Sequence, residues 1–131
     1  MKIHHTCLNV SNLDRSIDFY KHLGLKLTNR RYGVTDPKRE YASMKDEAGN
    51  VVDLSCFSGK TIRRRSTPDA PEVDGFDHIG FEVSDVDAAI ETLRRSGVTI
   101  SIEPRTLQRL SVKCAFIEDP DRNSIELMQR L

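Results

Sequence analysis

The stretch that decides the fold is FDHIGFEV at residues 76–83, with SDVD directly after it. It resembles a stretch near the N-terminus, where residues 5–10 read HTCLNV and SNLD follows. His78 lies 73 residues after His5, and that offset holds without a gap through both half-chains. The chain is therefore predicted to be an internal duplication. The other residues that the offset pairs are Val10 with Val83, Ser11 with Ser84, Asp14 with Asp87, Ile17 with Ile90, Gly24 with Gly97, Ala42 with Ala115, Asp46 with Asp119, Asn50 with Asn123, Asp53 with Glu126 and Leu54 with Leu127.

The length of the chain fits one compact domain, since 131 residues can bury most of their apolar surface. Half of the chain could scarcely form a core alone, so the two half-chains are expected to pack together. We predict a single domain over residues 1–131, made of a first module at 1–57 and a second module at 75–131. Residues 58–74 contain three consecutive arginines and show no periodicity, which indicates a linker.

The composition argues against several classes of function. With 20 basic and 20 acidic residues, the chain lacks the basic character of a nucleic-acid binder. No apolar run is long enough to span a membrane, and the first residues lack the apolar core of a signal peptide. We therefore expect a cytoplasmic protein without nucleic-acid or membrane partners. The three cysteines have no CxxC spacing and lie in strand-like segments, so they are predicted to be buried free thiols.

Each half-chain shows the signals of one helix among four strands. Ser11 and Ser84 are the predicted N-caps, because a side-chain oxygen there can accept hydrogen bonds from first-turn amides. Apolar residues then recur at helical spacing, and Gly24 and Gly97 stand where a left-handed residue commonly ends a helix. The predicted fold class is α+β, with two tandem βαβββ modules. The strands are predicted at residues 3–10, 25–32, 39–45, 51–57, 76–83, 98–102, 112–117 and 124–129, with a loop at 104–110.

Several motifs give the chain a resemblance to a known family. They are HTCLNV at residues 5–10, DFY at 18–20, LGL at 23–25, EDPD at 118–121 and IEL at 125–127. Together with the paired modules, they resemble the vicinal oxygen chelate superfamily, also called the glyoxalase/bleomycin resistance/dioxygenase family. The glyoxalase I branch is the most similar. The resemblance covers nearly the whole chain and implies that the two modules form a cleft.

The resemblance also implies a metal site. In this family each module supplies ligands from its first and last strands, and those positions here hold His5 with Asp53 and His78 with Glu126. Two imidazoles and two carboxylates suit one divalent first-row metal ion, such as Ni, Zn, Co, Mn or Fe. A carboxylate within an apolar strand is costly to bury without a partner. A shared metal ion would explain all four residues together.

The activity implied by the resemblance is that of a metal-dependent lyase or isomerase of the glyoxalase I type, acting on a small molecule. The metal would act as a Lewis acid. Glu126 or Asp53 would take a proton next to a carbonyl, which gives a metal-bound enediolate. Three alternatives on the same fold stay open: an extradiol-type dioxygenase that uses His5, His78 and Glu126, an acyl-CoA epimerase, and a metal-free binding or resistance protein. The substrate-binding residues stay unassigned at this point.

Three residues depart from the glyoxalase I pattern. Asp53 stands where glyoxalase I usually has the longer glutamate. Asn9 and Phe57, each four residues after a predicted ligand, stand where that pattern has an arginine and an asparagine that contact glutathione. Since the metal residues are kept and these contacts are lost, the expected substrate is another thiol adduct, a coenzyme A ester or a small hydroxy-carbonyl compound.

A homodimer is expected, because members of the family commonly form two-fold dimers. The predicted first strand of each module would also lie at an open sheet edge, and open edges invite pairing with another chain. Light scattering should therefore give about twice the chain mass of 14.9 kDa. A monomer mass at working concentration would contradict this prediction.

Overall fold

The computed structural model describes residues 4–34, 36–57 and 77–131. The chain divides into two compact units, Met1–Arg63 and Arg64–Leu131. The predicted linker at residues 58–74 lies outside the described residues. Neither helix in the described part of the chain is long and apolar enough to cross a membrane. The elements are β1 (Thr6–Val10), α1 (Leu13–His22), β2 (Lys26–Tyr32), β3 (Arg39–Lys45) and β4 (Val51–Phe57), then β5 (His78–Glu82), α2 (Val86–Arg95), β6 (Thr99–Leu107), a 3₁₀ helix (Gln108–Leu110), β7 (Val112–Glu118) and β8 (Ser124–Arg130).

Each unit contains one four-stranded sheet with the same connectivity. The strand order is β1-β4-β3-β2 in the first sheet and β5-β8-β7-β6 in the second. The first strand pairs in parallel with the last strand of its own unit, and the remaining neighbours pair antiparallel. The predicted α+β class and the two βαβββ modules are confirmed. The prediction that β1 and β5 lie at sheet edges is confirmed as well.

The internal duplication is visible in the element bounds. α2, β7 and β8 begin and end 73 residues after α1, β3 and β4. Gly24 and Gly97, which the offset pairs, have φ angles of +82° and +78° directly after the two helices. This left-handed conformation favours glycine, because a Cβ atom would be strained there. The helix-ending role predicted for both glycines is confirmed.

The hairpin turns before the last strands are locked by the same hydrogen bonds. In the first unit, Asp46 accepts hydrogen bonds from the backbone N–H of Asn50 at 2.7 Å and from its side-chain amide at 2.8 Å. In the second unit, Asp119 accepts the same two bonds from Asn123 at 2.8 and 2.7 Å. Each carboxylate thus accepts from the backbone N–H and from the side-chain amide of one asparagine. These bonds hold the turn that joins the two strands of the hairpin, and the turn sets their register.

The helix of each unit covers one face of its own sheet. In the first unit, Ile17 and Tyr20 of α1 are buried, as are Val10, Leu54 and Met44 on the sheet. Full burial of such side chains contributes about 1.5–3 kcal/mol each to the free energy of unfolding. In the second unit α2 buries a matching set, Val86, Ile90 and Leu93. Among the described residues, no helix of the same unit covers the opposite face of either sheet, and that face carries the polar residues described below.

Both predicted N-caps are one residue too early. Asn12, not Ser11, caps α1, because its Oδ1 accepts a hydrogen bond from the backbone N–H of Arg15 at 3.0 Å. Asp85, not Ser84, caps α2 through an equal bond of 3.0 Å from the N–H of Ala88. Asparagine and aspartate cap as well as serine does, so the residue types alone could not distinguish the two positions.

The predicted loop at 104–110 is also wrong. β6 continues through Pro104 to Leu107, and only Gln108–Leu110 leave the strand, as one 3₁₀ turn. The pairing of β6 with β7 shifts register twice, between Ile100 and Ile102 and between Ile102 and Arg105. Proline is tolerated in a strand at an edge or a bulge, and β6 is an edge strand. Tertiary pairing therefore overrides the local signal of the proline.

Replacing Asp85 by alanine should lower the free energy of unfolding by about 1 kcal/mol, because the N–H of Ala88 loses its acceptor. Asp85→Asn should keep most of the stability, since asparagine is an equally good cap. Ser84→Ala is the matched control and should change little. Chemical denaturation followed by circular dichroism measures all three. Equal losses in the Ser84 and Asp85 variants would contradict the assigned cap.

Candidate functional site

The sheet face opposite α1 gathers the chemically active side chains of the first unit. The register places Cys7 beside Asp53 and Asn9 beside Ser55, and Ser43 lies across from Asp53 on β3. Directly paired residues share one face of a sheet. We call this surface the polar face of the first sheet. Its remaining members on the neighbouring strands are Arg31, Arg39, Tyr41 and Phe57.

His5 and Asp53 approach each other at this face. The His5 Nε2 atom lies 3.9 Å from Asp53 Oδ2. Asp53 is only 8% exposed, and its Oδ1 atom is buried without a hydrogen-bond partner among the described residues. A buried carboxylate oxygen without a partner costs about 1–3 kcal/mol or more. A carboxylate oxygen in this state can accept a further ligand such as a cation.

His78 and Glu126 form the corresponding pair in the second unit. The His78 Nε2 atom lies 3.4 Å from Glu126 Oε2. The edge of the His78 ring packs against the Phe116 ring, with centroids 5.4 Å apart and planes at 83°. A Cβ atom added at Gly80 would lie 3.6 Å from Glu126 Oε2. Since Gly80 has no side chain, no Cβ atom contacts Glu126 from this position of the neighbouring strand.

A hydrogen bond to Asp77 fixes the tautomer of His78. The Nδ1 atom of His78 lies 2.6 Å from Asp77 Oδ1. Since an ionised carboxylate can only accept, Nδ1 carries the proton, and in the neutral ring Nε2 keeps its lone pair. That lone pair faces Glu126. Two electron-rich atoms that face each other in this way favour a cation between them.

His4 contacts His5. The two Nδ1 atoms are 2.9 Å apart, and the rings meet edge to face with centroids 5.2 Å apart. β1 begins only at Thr6, so strand alternation does not separate the two histidines. The contact engages the Nδ1 side of His5 and leaves Nε2 for Asp53.

The residues of both pairs fit a divalent metal ion. Imidazole nitrogen and carboxylate oxygen are ligands of first-row metals, whose bonds to such atoms are about 2.0–2.2 Å long in the case of zinc. The separations of 3.4 and 3.9 Å exceed a normal hydrogen bond but allow one ion to contact both atoms of a pair. Within either unit, no three His, Cys, Asp or Glu side chains of the described residues form a group that could hold a metal. Each unit thus brings together one histidine and one carboxylate.

The cysteines only partly match their predicted burial. Cys114 is buried as expected, whereas Cys56 is half-buried and Cys7 is exposed. Partial burial, with a further contribution from the charge of Asp53, raises the pKa of the Cys7 thiol. The charges of Arg39 and Arg31 act in the opposite direction. Since a raised pKa keeps the thiol protonated at neutral pH, Cys7 is unsuited to act as a nucleophile.

Sequence reasoning named both histidine–carboxylate pairs but missed the residues around them. Asp77 directly precedes His78, and a carboxylate next to a candidate metal ligand is a signal that could have been used. Arg31, Arg39 and Tyr41 lie on strands that carry no predicted ligand. Their place on the polar face became visible only once the register of β2, β3 and β4 was known.

The chain matches a family model over residues 2–127, and that model describes the Glyoxalase/Bleomycin resistance protein/Dioxygenase superfamily. A protein of Neisseria meningitidis serogroup A named lactoylglutathione lyase is 32% identical to this chain over 132 residues, which cover 99% of this chain and 91% of the relative. A lactoylglutathione lyase of Escherichia coli O157:H7 is also 32% identical and covers 98% of this chain and 93% of its own length.

Solved structures show the same fold. A glyoxalase family protein from Bacillus cereus superposes with a TM-score of 0.82 at 25% identity, over 100% of this chain and 95% of the other. Glyoxalase I from Zea mays gives a TM-score of 0.81 at 28% identity, over 98% of this chain and 44% of the maize chain. This protein belongs to the glyoxalase/bleomycin resistance/dioxygenase superfamily.

Asp77→Ala should weaken metal binding by about 10–100-fold, the usual effect of losing a partner that orients a metal-binding histidine. Asp77→Asn should bind metal nearly as well as the parent, because its amide oxygen can still accept from Nδ1. Asp18→Asn, on the exposed side of α1, is the control. Calorimetric titration with Ni²⁺ or Zn²⁺ measures the affinities. Unchanged affinity in Asp77→Ala would show that this contact does not orient His78 for a metal.

Proposed function

We propose that the protein is a divalent-metal-dependent lyase or isomerase that moves a proton at a carbon next to a carbonyl. The observation that carries the proposal is the recurrence of a histidine–carboxylate pair in both units, with the histidine at or directly before the first strand and the carboxylate on the last strand. The family match and the relatives named as lyases support this class of reaction.

Four residues would hold the metal ion: His5, Asp53, His78 and Glu126. When bound, a metal of this kind acts as a Lewis acid on a carbonyl oxygen. Glu126 is the better of the two candidate bases, because its side chain is 20% exposed and has room beside Gly80. Asp53 is shorter and more buried. We propose that it orients the site and takes part in the return of the proton.

We also propose that the substrate is not a glutathione adduct. The relatives are named for lactoylglutathione, and those names give no support to our expectation of a different substrate. The expectation depends on Asn9 and Phe57 alone. Asn9 accepts a hydrogen bond from Arg39, and Phe57 lies under the same guanidinium group. Both side chains are therefore engaged within the protein. Finally, we propose that the enzyme is cytoplasmic and forms a homodimer.

The purified protein should contain about one divalent metal ion per site, and saturating metal at a hundred times Kd should stabilise the fold by about 2.7 kcal/mol. His78→Ala and Glu126→Gln should lose the metal together with this stabilisation. The matched controls are His22→Ala and Glu47→Gln, which remove an exposed imidazole and an exposed carboxylate from the first unit. Elemental analysis and melting curves with and without a chelator decide the outcome. Retention of the parent's metal content in both site variants would refute the ligand assignment.

Turnover of the hemithioacetal of glutathione and methylglyoxal should be poor. The double variant Asn9→Arg with Phe57→Asn should raise kcat/KM for this substrate at least about tenfold, since one added charge-assisted contact is worth roughly 1.5 kcal/mol or more. Steady-state assays of the metal-loaded parent and double variant test this. Efficient turnover by the parent would show that the two departures are compatible with glutathione.

A further inference from the structure

The polar face of the first sheet carries two arginines on one aromatic ring. Arg31 lies directly across from Tyr41 in the pairing of β2 with β3. The guanidinium carbon of Arg31 is 5.0 Å from the Tyr41 ring centroid, and that of Arg39 is 5.2 Å from the same centroid. Cation–π contacts of this length hold both cations at one place on the sheet.

Arg39 is held in a fixed position by several contacts. Its Nε–H donates to Ser55 Oγ at 2.7 Å, and its Nη2 donates to Asn9 Oδ1 at 3.2 Å. The guanidinium carbon also lies 5.5 Å from the Phe57 ring centroid. A guanidinium group has five N–H donors, so three of them have no protein partner in the described part of the chain. The group is therefore preorganised to donate to something else.

Neither arginine of the pair has a carboxylate within ion-pair distance among residues 4–34, 36–57 and 77–131. Arg30, on the other face of the same sheet, shows the contrast: it contacts both Asp14 and Glu40 at 2.6 Å. An arginine whose charge is neutralised in this way is structural. Two adjacent arginines without a counter-charge are mutually repulsive, and an anion placed between them would remove that repulsion.

A cavity of about 270 Å³ opens at the pair. Both arginines, Tyr41 and Phe57 line it, and Asp36 is the one carboxylate among the described residues of the lining. Asp36 Oδ1 accepts a hydrogen bond from the backbone N–H of Lys38 at 3.0 Å. Two cations against one anion leave the lining with an excess of positive charge. Planar guanidinium groups bind carboxylates in a two-pronged manner.

We propose that Arg31 and Arg39 bind a carboxylate group of the substrate. The role of this arginine pair in turnover rests on the proposed function, but binding of the anion itself does not require the metal. Arg39 contacts Ser55 on β4 and Asn9 on β1. Ser55 lies two residues after Asp53, and Asn9 lies two residues after Cys7. At the usual rise per residue of a strand, this separation is roughly 7 Å. The substrate would then be a small carbonyl compound that also carries a carboxylate group.

The test uses the full chain after removal of metal, at low ionic strength and in a buffer without phosphate. Titration calorimetry with succinate measures binding of a small carboxylate, and succinamide is the neutral probe of similar shape. The parent should bind succinate and not succinamide. Arg31→Gln and Arg39→Gln should each weaken succinate binding at least about tenfold, the effect of losing one charge-assisted contact. Arg109→Gln, an exposed arginine of the 3₁₀ helix, is the matched control and should bind like the parent.

Two further measurements keep the proposal separate from protein folding and from the metal. Arg39→Lys keeps the charge but loses the two-pronged geometry, so it should show an intermediate affinity even if Arg39→Gln unfolds. Metal titration of Arg31→Gln should give the parent's affinity. Equal binding of succinate and succinamide, or parent-like binding of succinate by both glutamine variants, overturns the arginine site. A protein that binds succinate as expected but takes up no metal would refute the proposed function and leave the arginine site standing.

Discussion

The parallel pairing of the first strand with the last strand of each unit is the constraint on which the site depends. β1 pairs with β4 and β5 with β8, although the intervening chain runs through a helix and two more strands. This pairing alone brings a histidine from the start of the module to a carboxylate at its end. Parallel pairing needs a crossover connection, and the helix provides it. The same helix covers the other face of the sheet, so the polar residues collect on one side.

Much of this arrangement could be predicted because each local sequence pattern occurs once in each half of the duplicated chain. A lone Asp46 or Asn50 would be weak evidence of a turn, yet the same two residue types recur at Asp119 and Asn123 and form the same pair of hydrogen bonds. The offset of 73 residues also reproduces the bounds of three elements in the second unit. Local patterns that agree with the global fold are the most dependable ones.

The features that sequence reasoning missed depend on contacts between strands. Pro104 indicated a loop, but pairing with β7 carries β6 past it. Ser11 and Ser84 were predicted as caps because serine is a good N-cap. The neighbouring Asn12 and Asp85 cap equally well, so residue type could not decide between the two positions. Sequence reasoning assigned no role to Arg39. Its contacts with Asn9, Ser55 and two aromatic rings arise from three strands and have no local signature.

Duplication has kept the backbone of the two units alike while the surroundings of their carboxylates differ. The residue beside Asp53 on the parallel neighbour is Cys7, whereas the residue beside Glu126 is Gly80. Glu126 also has one more rotatable bond. A side chain with open space changes rotamer within picoseconds to nanoseconds, whereas typical enzymes turn over on the order of ten times per second. In the proposed reaction, a rotamer change of Glu126 is therefore expected to be fast compared with turnover.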